Sequence, residues 1–166
     1  MVFKPRANTQ VSAMLILKRG NQILFSRRAN TGHCDGLFSL PAGRVELRES
    51  IRDCIIREAK EEINITINKN DLEFVHFMHR FEPENSFDYS SNIMNECLDF
   101  YFITYKWKGN IKNNEPHKCS ELKWFTKEDC HSHIPYICHA IDYADARIMY
   151  SEYWNLRRSY GKIYRK

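Results

Sequence analysis

Three observations predict an α/β fold with a mixed β-sheet flanked by helices. The chain opens with two apolar-rich runs joined by a tight-turn signal, a capped helix follows near residues 50–63, and three more strand-like runs precede a second helix. At 166 residues it has the length of one domain, 1–166, enough to bury a core without disulfides or a metal staple.

Val11 to Leu17 (VSAMLIL) and Gln22 to Arg28 (QILFSRR) are expected to pair as a hairpin about Gly20-Asn21. Ala29 to Glu49 holds Gly32, Gly36, Pro41 and Gly43, too many turn formers for regular structure, so it reads as a long loop of the kind that carries function. Ser50 with Asp53 forms a capping-box pattern in which Asp replaces the more usual Glu. The helix should run to about Ile63, where Asn64 can take the left-handed conformation that ends it. Strands follow at Leu72 to Phe81, Glu96 to Trp107 and Glu121 to Phe125, then a second helix over Ile134 to Arg147 with Pro135 in its first turn.

The composition, 43% apolar and 28% charged, is that of a globular protein, and no apolar run approaches the roughly 18 residues of a membrane span. The basic start VFKPRANTQ has no apolar core of the secretory kind, so a cytoplasmic location is expected. Cys34, Cys54, Cys97, Cys119, Cys130 and Cys138 are scattered singly, which predicts reduced thiols. Cys130, His131, His133, Cys138 and His139 match no standard zinc spacing and are set aside. The net charge of +4 sits in the tail: residues 147–166 hold six Lys or Arg against one Glu, interleaved with Tyr150, Tyr153, Trp154, Tyr160 and Tyr164. That mixture suits a nucleic-acid backbone, but a packed final segment with a solvated basic end is the preferred reading.

The helix poses a chemical question. At about 100° per residue, Glu58 and Glu62 fall roughly 20° to either side of Ile51, and Glu61 about 20° from Cys54, so all three lean toward the apolar stripe. Gathering ionised carboxylates at a partly buried place is costly unless a cation compensates. Hard oxygen ligands at i, i+3 and i+4 suit magnesium or manganese.

From Gly43 the chain reads Gly, five residues, Glu49, seven residues, Arg57-Glu58, Ala59, Lys60, Glu61-Glu62, one residue, Asn64-Ile65. This spacing resembles the signature of the Nudix hydrolases at every charged position. Asn64 stands where the family pattern has Gly, and Asn is the next best residue for a left-handed helix end. SRRANTGHCDGLFSLPAG also resembles the loop before that signature, so the likeness runs from the first hairpin to Phe125.

The resemblance implies a Nudix-type α/β/α sandwich, MutT-like, that uses Mg2+ (or Mn2+) and water to cleave a phosphoanhydride bond in a nucleoside diphosphate-linked compound. A small nucleotide, a nucleoside or deoxynucleoside triphosphate giving monophosphate and pyrophosphate, is the leading substrate. Carried over by position, Glu58, Glu61 and Glu62 would be metal ligands, with the backbone carbonyl of Ala42 as an additional one. Arg57 would orient the carboxylates through Glu49. Glu49 and Glu115 are the candidates for general base, the latter within NNEPHKCSELKWF, with Glu121 as a fallback. Arg27, Arg28 and Arg44 are candidates for phosphate binding. Phe38, Phe81, Tyr101 and Trp124 read as core aromatics. Two other functions stay open: an enzyme acting on the 5′ end of RNA, gripped by the basic tail, and a nucleotide-binding module without catalysis. A monomer or homodimer with no membrane partner is expected.

Overall fold

The computed structural model describes residues 9–83 and 94–154. Strands β1 (Gln10–Arg19) and β2 (Gln22–Arg28) form the expected hairpin. Arg19 faces Gln22 across a two-residue turn, and Gly20 takes φ +60° at its first position, where a side chain would be strained.

The segment expected to be an irregular loop is partly regular. β3 (Phe38–Ser39) pairs with β2, and β4 (Ala42–Arg44) pairs with β1 through Ser12↔Arg44 and Met14↔Ala42. Residues 38–41 are buried, and their backbone groups need ladder partners away from water; the turn formers mark only the bends between these short strands.

Helix α1 (Ile51–Ile63) begins as expected, with Ser50 Oγ accepting from the Asp53 amide at 3.1 Å. Asp53 does not complete the capping box by reaching back to the backbone. One methylene shorter than Glu, its carboxylate instead takes the Ser50 hydroxyl and Lys69 Nζ. Asn64 ends the helix at φ +59°, its amide returning to the Ala59 carbonyl, so the geometry survives the absence of glycine.

β5 (Glu73–Pro83), β6 (Met94–Thr104) and β7 (Cys119–Thr126) follow. Helix α2 (Pro135–Asp145) has Pro at its start. A final strand, β8 (Tyr150–Trp154), lies within the residues read as a tail. It pairs in parallel with β5 from Phe77↔Tyr150 to Phe81↔Trp154, and Trp154 stacks on Phe81 with ring centroids 3.8 Å apart. Of the tail's cations only Arg147 lies among the described residues.

The strand order is β3-β2-β1-β6-β5-β8, with β4 also on β1 and β7 also on β2. β1 is the branch point. It runs parallel to β6 from Gln10↔Cys97 to Leu17↔Thr104, while its other edge serves β4 first and β2 at its end. Both faces of β1 are covered, which is why Ala13 to Leu17 form an unbroken buried run rather than an alternating one. Met14 and Ile16 join the core beneath α2, whereas Ala13, Leu15 and Leu17 pack with Cys54, Ile55, Ala59 and Ile63 of α1. Two helices on opposite faces of one mixed sheet make the expected three-layer fold.

Two buried polar groups hold the far half of the sheet. Arg80 Nε pairs with Asp99 Oδ2 at 2.6 Å, with Asp99 fully buried and the guanidinium 4.2 Å from the centre of the Tyr136 ring. His76 bonds the Ile148 carbonyl at 2.7 Å and Ser151 Oγ at 2.9 Å, clasping the approach to β8. Among the described residues, no helix is long and apolar enough to cross a membrane.

Candidate active site

Arg57 is the hub of the α1 carboxylates. Its fork meets Glu49 twice, Nε to Oε1 at 2.8 Å and Nη2 to Oε2 at 3.1 Å. Nη1 reaches Glu58 Oε1 at 2.7 Å and Glu61 Oε2 at 3.0 Å, and Nη2 also donates to the Arg44 carbonyl at 3.3 Å. This planar fork ties the helix to the turn before it. The Arg57 hydrogen bonds, followed by one from the Glu46 amide, hold the Glu49 carboxyl down at about 2.

Glu58 and Glu62 occupy a more enclosed place. The Glu58 side chain is 15% exposed and lies against Gly43. Burial pushes its carboxyl above the usual range, with Arg57 opposing and Glu61 and Glu115 reinforcing. Glu62 is half-buried as a residue, yet its carboxyl is surrounded by protein and is pushed up to about 8 by that burial, against a 3.0 Å bond from the Ala42 amide. On either side of β4, Val45 donates to the Val11 carbonyl and the Pro41 carbonyl accepts from Leu15. Antiparallel alternation therefore turns the Ala42 N–H and C=O away from β1, toward the helix.

Glu115 arrives from the other end of the chain. The amides of Lys112 and Asn114 bond the Ile63 and Glu62 carbonyls, satisfying groups that a helix end leaves without partners. This docks the segment on the end of α1 and brings Glu115 to the wall shared with Glu62. Lys118 Nζ pairs with Glu115 at 2.8 Å.

A cleft of about 640 Å³ collects these groups: Glu58, Glu62 and Glu115 with Arg28, Arg44 and Lys118. Ala42 and Gly43 also line it. Arg28 is steadied by the His33 carbonyl at 2.7 Å and Thr31 Oγ1 at 3.0 Å. The loop around it is closed by Asp35, which accepts from the amides of Thr31 and Gly32.

Several expected site residues lie elsewhere. Arg27, the strand neighbour of Arg28, is exposed and donates to the Gly36 carbonyl outside the cleft, as alternation of strand faces requires. Glu49 faces Arg57 rather than the cleft. Glu61 meets Glu58 on the same Arg57 nitrogen but stays outside the cleft lining: its side chain is 52% exposed, drawn at i+4 onto Arg57. Glu121 is exposed on β7 opposite Arg27. Lys118 also lines the cleft, and its sole sequence signal is a cation three residues after Glu115.

Among the described residues no three side chains of the His, Cys, Asp or Glu type are already gathered at metal-holding distances. The carboxylates are spread onto protein donors, Glu58 and Glu61 on Arg57, Glu62 on Ala42 and Glu115 on Lys118. The donor set still fits a divalent ion. It consists of hard oxygens, one of them a buried carboxyl whose ionisation the protein alone opposes, and Gly43 leaves open the space that Glu58 fills.

The NUDIX domain family model matches residues 8–140. The 8-oxo-dGTP diphosphatase of Escherichia coli K12 is 32% identical over 57 residues, 34% of this chain and 44% of that protein. The NAD-capped RNA hydrolase NudC of Pseudomonas aeruginosa is 31% identical over 64 residues, 39% of this chain and 22% of that protein. The chain thus matches less than half the length of either relative. A MutT NUDIX hydrolase from Burkholderia pseudomallei superposes with a TM-score of 0.70 at 18% identity, over 82% of this chain and 98% of that one. A MutT protein from Methanosarcina mazei gives 0.67 at 17% identity, over 86% and 97%. These structural matches show a shared fold.

Proposed function

Since the chain belongs to the Nudix family, we propose that it is a metal-dependent hydrolase of a small nucleotide, adding water across a phosphoanhydride of a nucleoside or deoxynucleoside triphosphate to release monophosphate and pyrophosphate. The observation that carries this reading is one cleft in which Glu58, Glu62 and Glu115 face Arg28, Arg44 and Lys118, an oxygen-rich cation seat beside a set of phosphate clamps.

Glu58 and Glu62, with the Ala42 carbonyl, would hold Mg2+ or Mn2+. Such an ion supplies neutralisation of phosphoryl charge and acidification of water. Arg28 and Arg44 bind the polyphosphate, for which a guanidinium fork is suited. Glu115 takes the proton of the attacking water and becomes a neutral carboxyl beside Lys118, while the water oxygen bonds to phosphorus and the bridging anhydride oxygen departs with the other product. Glu49 is unsuited to that task, with both oxygens held by Arg57 and its carboxyl at about 2. Arg57 acts through the carboxylates it positions, and Glu61 stays on its rim. The free thiols among the described cysteines accord with a cytoplasmic site of action.

The test is release of phosphate and pyrophosphate from nucleoside triphosphates, sugar nucleotides, dinucleoside polyphosphates and capped RNA, each with Mg2+ and with chelator. Metal-dependent turnover of a triphosphate is the expected result. A strong preference for RNA 5′ ends that disappears on deleting residues 155–166 would favour the RNA enzyme instead. Binding without any turnover would favour a recognition module.

A further inference from the structure

Glu115 stands on neither a helix nor a strand but on a short tied turn. Pro116 follows it, which disfavours helical backbone at Glu115 and suits the second position of a turn. The Glu115 carbonyl accepts from the amides of Lys118 and Cys119, both at 2.9 Å. Its own amide donates to Asn113 Oδ1 at 3.1 Å. The other end of that carboxamide, Asn113 Nδ2, donates to the Cys119 carbonyl at 2.7 Å. The half-buried Asn113 side chain therefore spans the turn, from the residue that enters it to the first residue of β7.

Contacts on two sides hold this unit in the cleft. The Lys112 and Asn114 amides bond the Ile63 and Glu62 carbonyls at 3.1 and 3.0 Å. Opposite them, the Ala29 amide bonds the Lys118 carbonyl at 2.8 Å and Asn30 Nδ2 bonds the His117 carbonyl at 3.1 Å. The turn is thus pinned between the carboxylate end of α1 and the loop that carries Arg28. Inside that frame the planar Asn113 amide fixes how Glu115 sits, because its acceptor and its donor are held a set distance apart. Aspartate offers no donor for the Cys119 carbonyl, and a serine hydroxyl is too short to reach both ends of the turn.

We propose that Asn113 is the positioning residue of Glu115, holding its carboxylate where it can take the proton of the attacking water. The inference rests on the proposed hydrolase, in which Glu115 is the base. Asn113 acts through the backbone of Glu115 and does not touch substrate. Proton transfer needs the two heavy atoms about 2.6–3.2 Å apart, so a turn that drifts by about an ångström loses it. The phosphate grip of Arg28 and Arg44 lies on β2 and β4 and stays in place. The Glu115–Lys118 pair, 2.8 Å long, registers the same placement, because its hydrogen bond holds the Lys118 amine above its ordinary range.

Two measurements test it. In steady-state kinetics on a nucleoside triphosphate, Asn113→Ala should lower kcat about thirtyfold while KM changes less than about twofold. In a Glu115→Gln background the same substitution should cost less than about twofold, because the group it positions no longer accepts a proton. Asn113→Ser keeps an acceptor for the Glu115 amide and loses the donor, so its loss should be intermediate, and it gives a second cycle with Glu115→Gln whether or not the alanine protein folds. Equal losses in both backgrounds, or no loss in either Asn113 variant, would overturn the inference while leaving the proposed hydrolase standing. The second measurement is an NMR titration of the Lys118 ammonium, which should move down toward the ordinary amine range in Asn113→Ala and less far in Asn113→Ser. An unchanged midpoint in both would overturn the inference. This readout is independent of turnover, so an inactive wild type in which the midpoint still responds to Asn113 would fail the hydrolase reading alone.

Discussion

Glu58 lies so close to Gly43 that a Cβ built on the glycine would come within 1.8 Å of Glu58 Oε1 and 2.4 Å of its Cγ. The glycine opening the motif is thus a matter of space: Gly43 has no left-handed backbone angle among the positive-φ residues, and its missing side chain is the seat of a carboxylate. Gly43→Ala should leave the strand intact but displace Glu58. Turnover is expected to fall about a hundredfold, the scale of an ångström misplacement at a reacting centre, with the circular dichroism spectrum unchanged. Retained activity would show that Glu58 is free to sit elsewhere.

Arg57→Lys keeps the charge and loses the fork. A single ammonium cannot meet Glu49 bidentately and also reach Glu58 and Glu61, so kcat should fall roughly 10- to 100-fold, as when the supports of a metal ligand are removed. Glu49→Gln should give a similar loss, and the double variant little more, because both act on one network. Glu61→Gln should cost markedly less than Glu58→Gln or Glu62→Gln, since Glu61 is 52% exposed and turned onto Arg57. Additive losses in the double variant would separate the two residues.

The motif was the legible part of the site for a physical reason. Helix limits, the Ser50 cap, the Asn64 stop and the Arg57–Glu49 spacing are set by residues close in sequence, and the helical period reports them directly. The turning of Glu61 away from the cleft depends on competition for one guanidinium, which a helical wheel does not contain. Lys118, β4, β8 and the Arg80–Asp99 pair all depend on which distant strands become neighbours. Asp99 looks from sequence like an outward residue of an alternating strand; its burial is made tolerable by Arg80, its diagonal neighbour across the β5–β6 ladder.

Glu62 should make the metal-free protein pH-sensitive. Its folded pKa, about 8, lies above its ordinary value of 4.5. The folded state therefore binds the proton more tightly than the unfolded one, and stability is lost as pH rises from about 4.5 through about 8. Glu62→Gln removes the burden of a buried charge. In chelator at pH 9 it should melt several degrees above wild type, with the difference shrinking to nothing below about pH 4.5. Added Mg2+ should raise the melting temperature of wild type more than that of the variant. A pH-independent difference would contradict the burial of this carboxyl.

Asp99→Ala should be strongly destabilising, at about 3 kcal/mol, because it removes the buried carboxylate that neutralises a buried guanidinium. Urea unfolding would measure it. Since the pair sits away from the cleft lining, mononucleotide kcat at low temperature should change little by comparison.

The branching of β1 has a consequence for the order in which the molecule can be assembled. Its partners β2 and β4, and the helix that completes the motif, come from neighbouring sequence, so loop closure among them costs little entropy. β6, whose Cys97 lies opposite Gln10, and the Glu115 segment beyond it close far longer loops. During synthesis the Arg57 network and Gly43 can meet while the residues that supply the opposite wall are still untranslated. One wall of the cleft is therefore kinetically local and the other arrives last, and substitutions in the later wall are expected to slow final closure rather than initial collapse.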